Sequence, residues 1–124
     1  MDKKQLLEFV NALEGACADK PFPQDDVSVV FRHADTRKWF GLLFPVPKSY
    51  FGEGQGSELC LNVKCPPDLA AMLCASYAGI LPAYHMNKAH WITVRLNGSV
   101  PDEEIENVLL MSRALTGARP KRGG

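Results

Sequence analysis

The chain has no hydrophobic run long enough to cross a membrane and no surplus of charge of either sign. Its 124 residues contain no stretch that approaches the ~20 apolar residues of a membrane helix. The first five residues also lack the apolar run of a secretory signal. Fourteen lysine and arginine residues balance fourteen aspartate and glutamate residues, which argues against strong indiscriminate binding to nucleic acid. We therefore expect a cytoplasmic protein with no membrane partner.

Cysteine spacings that bind zinc or form redox pairs are missing as well. The four cysteines include no C-x-x-C pair, the arrangement that such sites commonly use. In a chain of this kind a cysteine behaves as a small apolar side chain. We predict that role for Cys17, Cys60, Cys65 and Cys74.

No familiar catalytic motif is present either. The sequence has no G-x-S-x-G, no P-loop and no paired-carboxylate signature. Residues 52–56 contain alternate glycines, but the residues after them alternate like a strand, whereas a dinucleotide loop leads into a helix. His85 and His90 lie five residues apart, but no close carboxylate or thiolate completes a tetrahedral zinc site with them and His33. We expect no cofactor, no metal and no enzyme activity; general-base chemistry at His85 or His90 is the catalytic alternative.

Three segments carry apolar residues at helical spacing, and a glycine follows each one. The first runs from about Lys3 to Glu14. The second begins at residues 66–67 and closes at Gly79, and the third begins at Pro101 and ends at Gly117. Proline and acidic residues at the start of the second and third suit the first turn of a helix.

Between these segments apolar residues recur at every second position, which is the period of a β-strand. We predict strands at residues 27–32, 37–44, 59–65 and 90–96, with a short extended piece at 83–86 and a loop at 45–57. Helices segregated from consecutive strands are typical of an α+β domain with a mostly antiparallel sheet. We place a single domain at residues 1–117 and predict a basic, frayed tail at 118–124.

The alternation also predicts which side chains lie on the sheet face turned away from the helices. They are mainly basic, aromatic or polar, and Glu58 at a strand start adds the one negative charge. A basic face with aromatic groups suits a phosphate backbone with exposed bases, or a planar ligand. An ordinary half-exposed sheet presents arginine and lysine in the same way, so both interpretations stay open. The face comprises Ser28, Arg32, Asn62, Lys64, Trp91, Thr93 and Arg95, with Arg37 and Trp39 as further candidates.

Residues 84–91 hold the densest group of polar and aromatic side chains in the chain. Asn87 tolerates the left-handed conformation of a tight connection, and its amide can bind a phosphate or a base edge. In the alternative interpretation Tyr84 and Trp91 anchor the chain, while Asn87 and Lys88 cap a turn. The group consists of Tyr84, His85, Asn87, Lys88, His90 and Trp91.

Taken together, these motifs resemble the MmcQ/YjbR family. Ala83 stands where the family often has glycine, and Arg113 stands where it usually has tyrosine. The resemblance implies a CyaY-like α+β fold and a DNA-binding role through a "double wing" arrangement of hairpins. It covers nearly the whole chain and rests on Pro21-Phe22-Pro23, Trp39-Phe40-Gly41-Leu42, Leu61-Asn62-Val63-Lys64-Cys65, residues 82–91, Val100-Pro101-Asp102-Glu103 and Ser112.

Two functional hypotheses follow. The first is a non-enzymatic nucleic-acid-binding module that acts as a monomer and binds DNA weakly and in a salt-dependent way. Its phosphate contacts would be Lys38, Lys64, Lys88 and Arg95, with Tyr84 or Trp91 stacking on bases, Asn87 donating hydrogen bonds, and His85 and His90 alongside. The alternative is a small-molecule or protein-binding adaptor with a pocket at Tyr84, His85, Lys88 and Trp91.

Overall fold

The structure, a computed structural model that describes residues 1–117, contains three helices and six strands. The predicted α+β class is confirmed. Residues 118–124, where the basic tail was predicted, lie outside the described part of the chain. Within that part no helix is both long and apolar enough to cross a membrane. The elements are α1 (Lys3–Asn11), β1 (Ala16–Asp19), β2 (Val29–His33), β3 (Trp39–Pro47), a 3-10 helix (Lys48–Phe51), β4 (Ser57–Lys64), α2 (Pro67–Ser76), β5 (Ile80–Pro82), β6 (Trp91–Arg95) and α3 (Asp102–Thr116).

The six strands form one sheet in the order β1-β2-β3-β4-β6-β5. Every neighbouring pair is antiparallel, as the sequence predicted for most of the sheet. The edge strand β1 was not predicted. Its four residues are all half-buried and show no alternation, so the period-two signal that identified the other strands is absent there.

Three of the predicted bounds that differ from the structure do so for a local reason. The first helix ends at Asn11 and not at Glu14, because Gly15 has a φ of +77° and turns the chain into β1. Strand β3 continues through Pro45 and Pro47, which were assigned to a loop. Beyond Leu43 this strand pairs with β4 alone, and a strand with a free edge tolerates proline. The extended piece expected at 83–86 is the strand β5, at Ile80–Pro82.

The helices cover one face of the sheet. Its buried side chains, with those of the helices, form the main core, which includes Leu6, Phe31, Leu61, Ile92 and Leu109. The opposite face, called here the second face, is not open along its length. A second apolar cluster lies on it, made of Val30, Leu42, Phe44, Val46 and Cys60, and is packed against Trp39, Tyr50, Phe51, Tyr84 and Met86.

A bulge at the start of β3 fixes which side chains reach the second face. Arg32 pairs with Trp39 and Phe31 with Gly41, so Phe40 is left without a partner. Its carbonyl accepts a hydrogen bond from Ser112 Oγ of α3 at 2.6 Å. The same hydroxyl accepts from the Lys64 backbone N–H at 2.8 Å. Ser112 therefore joins β3 to the end of β4 at the point where the ladder is interrupted.

Candidate nucleic-acid interface

Residues 83–90, called here the crossing segment, join β5 to β6 and pack on the second face. Two buried strand residues hold them there. Thr93 Oγ1 accepts from the Tyr84 N–H at 2.8 Å and donates to Asn62 Oδ1 at 2.6 Å. Asn62 Nδ2 donates to the Tyr84 carbonyl at 2.9 Å. Asn62 and Thr93 were predicted to face solvent; both are fully buried, and their role is to anchor the segment.

The Tyr84 ring is enclosed by other aromatic rings. Its centroid lies 4.9 Å from that of Tyr50 in an edge-to-face arrangement, 6.4 Å from Phe44 and 4.0 Å from His85. The Tyr50 hydroxyl donates to the Pro82 carbonyl at 2.7 Å, which ties the 3-10 helix to the end of β5. Tyr84 thus anchors the crossing segment; like Trp91, it is half-buried.

Asn87 caps the turn that leads into β6. Its Oδ1 accepts from the Ala89 N–H at 2.9 Å, and its carbonyl accepts from the N–H groups of His90 and Trp91 at 3.1 and 2.9 Å. The left-handed residue of the segment is His85, with a φ of +62°, and not Asn87 as the sequence suggested. His85, Asn87 and His90 are exposed, so the turn presents their polar groups to solvent.

Three of the four predicted phosphate contacts are lysines without a carboxylate partner in the described chain. Lys64 lies across from Trp91 in the β4–β6 pair, and Lys38 directly precedes Trp39 at the start of β3. Lys88 Nζ lies 5.9 Å from the centre of the Tyr50 ring. Within residues 1–117, no carboxylate oxygen lies within 4.0 Å of any of the three ammonium groups. Their charges are therefore available to an external anion.

Arg95, by contrast, is not a free cation. Its guanidinium binds Glu53 through two bonds of 2.8 and 2.9 Å, pairs with Glu58, and lies 4.1 Å above the Phe51 ring. These partners raise the pKa of Arg95, and the Arg95 hydrogen bonds lower that of Glu53. Arg95 was predicted to contact phosphate, but its charge is already paired within the protein. Its side chain holds the glycine-rich loop against the sheet.

Arg32 and Arg37 are likewise neutralised in part. Asp19 Oδ2 lies 3.2 Å from Arg32 Nε and 2.9 Å from Arg37 Nη2, and the Arg32 guanidinium lies 5.6 Å from the Trp39 ring centre. Asp19 belongs to β1, so the acidic partner was missed together with that strand. Ser28 also departs from the predicted face, since it is buried ahead of β2 and donates to Asp25.

His33 is a structural residue. Its Nε2 lies 2.8 Å from Thr116 Oγ1, and its ring packs edge-on against Phe40 with the centroids 5.2 Å apart. In residues 1–117 no three side chains of histidine, cysteine, aspartate or glutamate lie close enough together to hold a metal ion. Cys60 and Cys65 are buried, and Cys17 and Cys74 are half-buried, so the predicted apolar role fits the first two best.

A cleft of about 260 Å³ lies beside the crossing segment, called here the α2 cleft. Its lining does not include Tyr84, His85 or Trp91, so this cleft is not the pocket predicted from those residues. Lys88 is the one member of that predicted set that reaches it. The lining consists of Pro67, Ala70, Ala71, Cys74, Pro82, Lys88, Ala89 and Ile92.

Comparison with known proteins identifies the family of the chain. The family model described as YjbR matches residues 11–115. The chain belongs to the YjbR family. Among its relatives is the "uncharacterized protein YyaQ" of Bacillus subtilis, 33% identical over 117 residues, which are 94% of this chain and 98% of YyaQ. The "uncharacterized protein YjbR" of Escherichia coli K12 is 44% identical over 45 residues, 36% of this chain and 38% of its own.

Two solved structures have the same fold. A crystal structure of a Pseudomonas syringae protein superposes with a TM-score of 0.87 at 36% identity, covering 94% of this chain and all of the other. A Deinococcus radiodurans protein superposes with a TM-score of 0.69 at 28% identity, covering 90% of this chain and 75% of its own. The names of these proteins describe no activity.

Proposed function

We propose that this YjbR-family protein is a nucleic-acid-binding module that contacts a phosphate backbone through Lys38, Lys64 and Lys88. The observation that supports it is the absence, within residues 1–117, of a carboxylate partner for these three lysines. Lys88 belongs to the crossing segment, and Lys64 pairs with Trp91 at its end. Most of an interaction with nucleic acid comes from phosphate contacts of this kind. Trp91 stands beside Lys64 and supplies a ring for an unpaired base.

The balanced net charge is compatible with this function because the acids are distributed unevenly. Helix α3 starts with Asp102, Glu103 and Glu104 in its first turn, and its later residue Ser112 holds the Lys64 backbone. At about 1.5 Å of rise per residue, the ten residues from Asp102 to Ser112 span roughly 15 Å. That distance exceeds the ~8 Å Debye length at physiological salt, so these three acids weaken the attraction of Lys64 for an anion only slightly.

The exposed side chains of the crossing segment would complete the interface. Asn87 uses its side-chain oxygen to cap the turn, which leaves its amide NH₂ to donate to a phosphate or a base edge. His85 and His90 are exposed and have ring N–H groups that can donate to phosphate oxygens. Affinity should stay in the weak non-specific range, on the order of 10⁻⁶ to 10⁻⁴ M, because few cations are free.

The test is a fluorescence-polarisation titration of labelled single-stranded and duplex oligonucleotides at low salt. The double variant Lys38→Gln/Lys88→Gln should bind about tenfold more weakly than the wild type, because two phosphate contacts are lost. Lys4→Gln/Lys20→Gln removes the same charge from two exposed lysines elsewhere and should bind like the wild type. Equal losses in both variants would assign the effect to net charge. No binding by the wild type at millimolar protein would refute the function.

A further inference from the structure

We propose that the α2 cleft is a binding site for a small carboxylate that carries an apolar chain or ring. This assignment does not depend on the proposed binding of nucleic acid, although Lys88 would take part in both sites. Its location differs from the aromatic pocket expected from the sequence, because the walls come from α2 and the two outer strands. Shape, lining chemistry and charge support the assignment.

The shape follows from small residues on one face of α2. Pro67, Ala70, Ala71 and Cys74 recur at the i, i+3, i+4, i+7 spacing of a single helical face. Leu73 is the one residue of this helix that is buried. Short side chains on the lining face leave a space between the helix and the outer strands that larger residues would have filled.

The lining is apolar with a single charge. Pro82 and Ile92 of the outer strands and Ala89 of the crossing segment face the helix across the cleft. Among the described residues that line it, Lys88 alone is ionic, and no carboxylate within residues 1–117 neutralises it. An apolar slot bordered by one lysine complements a ligand with an apolar body and one negative charge.

The size restricts the ligand further. A volume of about 260 Å³ is many times the ~30 Å³ of one water molecule but lies below the ~300–1,000 Å³ typical of drug-sized ligands. A short aliphatic or single-ring monocarboxylate fits this range. Burial raises the pKa of Cys74, so its thiol contributes a polarisable wall and reacts slowly with alkylating reagents.

The test is an NMR titration of ¹⁵N-labelled protein with benzoate and with hexanoate. We expect saturable shifts at the amides of Ala70, Ala71, Cys74 and Ala89, with a Kd on the order of 0.1–10 mM, as for ligands of few atoms. Benzamide, the neutral analogue, should bind at least about fivefold more weakly, because it lacks the charge that pairs with an ammonium group. Equal binding of benzoate and benzamide would overturn the proposal. So would the absence of shifts at benzoate concentrations up to about 20-fold above the expected Kd.

Variants separate the cleft from other surfaces. Ala71→Phe places a ring in the slot and should abolish benzoate binding, whereas Ala75→Phe, one turn further and outside the lining, should leave it unchanged. Lys88→Gln should reduce benzoate affinity and spare benzamide. Benzoate should also slow alkylation of Cys74 without slowing that of Cys17, which is half-buried in β1. Unchanged benzoate binding in Ala71→Phe, or equal slowing at both thiols, would contradict the assignment.

Discussion

The hydroxyl of Thr93 should carry much of the attachment between the crossing segment and the sheet. It donates to Asn62 Oδ1 at 2.6 Å and accepts from the Tyr84 N–H at 2.8 Å, and Thr93 is fully buried. Replacing threonine by valine keeps the size of the side chain and removes both bonds. It leaves the Tyr84 N–H and one Asn62 lone pair buried without a partner.

The expected cost follows from these two groups. Each buried polar group that loses its partner costs about 1–3 kcal/mol. Since Tyr84 is half-buried, water can reach part of this network, and we expect the lower half of the sum. Thr93→Val should therefore lower the free energy of unfolding by about 2–4 kcal/mol. At about 3–5 °C per kcal/mol for a domain of this size, Tm should fall by roughly 6–20 °C.

Urea unfolding followed by circular dichroism measures the global cost, and hydrogen exchange of the Tyr84 amide measures the local one. Thr36→Val is a matched control, because Thr36 lies exposed in the β2–β3 turn and should change stability by less than about 0.5 kcal/mol. The reasoning is refuted if Thr93→Val stays within 0.5 kcal/mol of the wild type and the Tyr84 amide exchanges no faster.

Two further predictions concern titratable groups. The pKa of Glu53 is lowered by its bonds to Arg95, so the stability this pair provides is fully present above the ordinary pKa of glutamate and is lost as pH falls through the lowered value. Glu53→Gln should be less stable than the wild type at pH 7, with the difference vanishing in urea melts at acid pH; a difference that grew on acidification would be inconsistent. Burial and the nearby Glu58 raise the pKa of Cys60 to about 12, so iodoacetamide should modify Cys60 only when the protein unfolds, and Cys17 earlier. Equal labelling rates by mass spectrometry would show that the second face opens freely.

Strand parity was the part of the site that the sequence could predict. Alternation placed Arg32, Asn62 and Thr93 on a face separate from the main core, and the ladder confirms that Asn62 and Thr93 lie opposite each other. The period-two rule depends on backbone geometry alone, so it holds wherever a strand is regular. It failed for β1, which is short and evenly half-buried.

Exposure on that face could not be predicted, because it depends on segments distant in sequence. The crossing segment buries Asn62 from 22 residues away, and Glu53 reaches Arg95 across 42 residues. Nothing in the local sequence pattern of β4 or β6 indicates that these distant segments pack on the second face. Glycines at 52, 54 and 56 did indicate a loop, but not that its one acidic residue would neutralise an arginine on the sheet.

The salt dependence of oligonucleotide binding tests the central claim most directly. With about three phosphate contacts, the slope of log K against log salt for duplex DNA should be roughly −2 to −3. Lys64→Gln should make that slope less steep by about one unit while circular dichroism shows an unchanged fold, since its side chain is predicted to contact a phosphate and its structural bond is made by the backbone. A flat salt dependence, or a slope that Lys64→Gln leaves unaltered, would contradict a phosphate interface at these lysines.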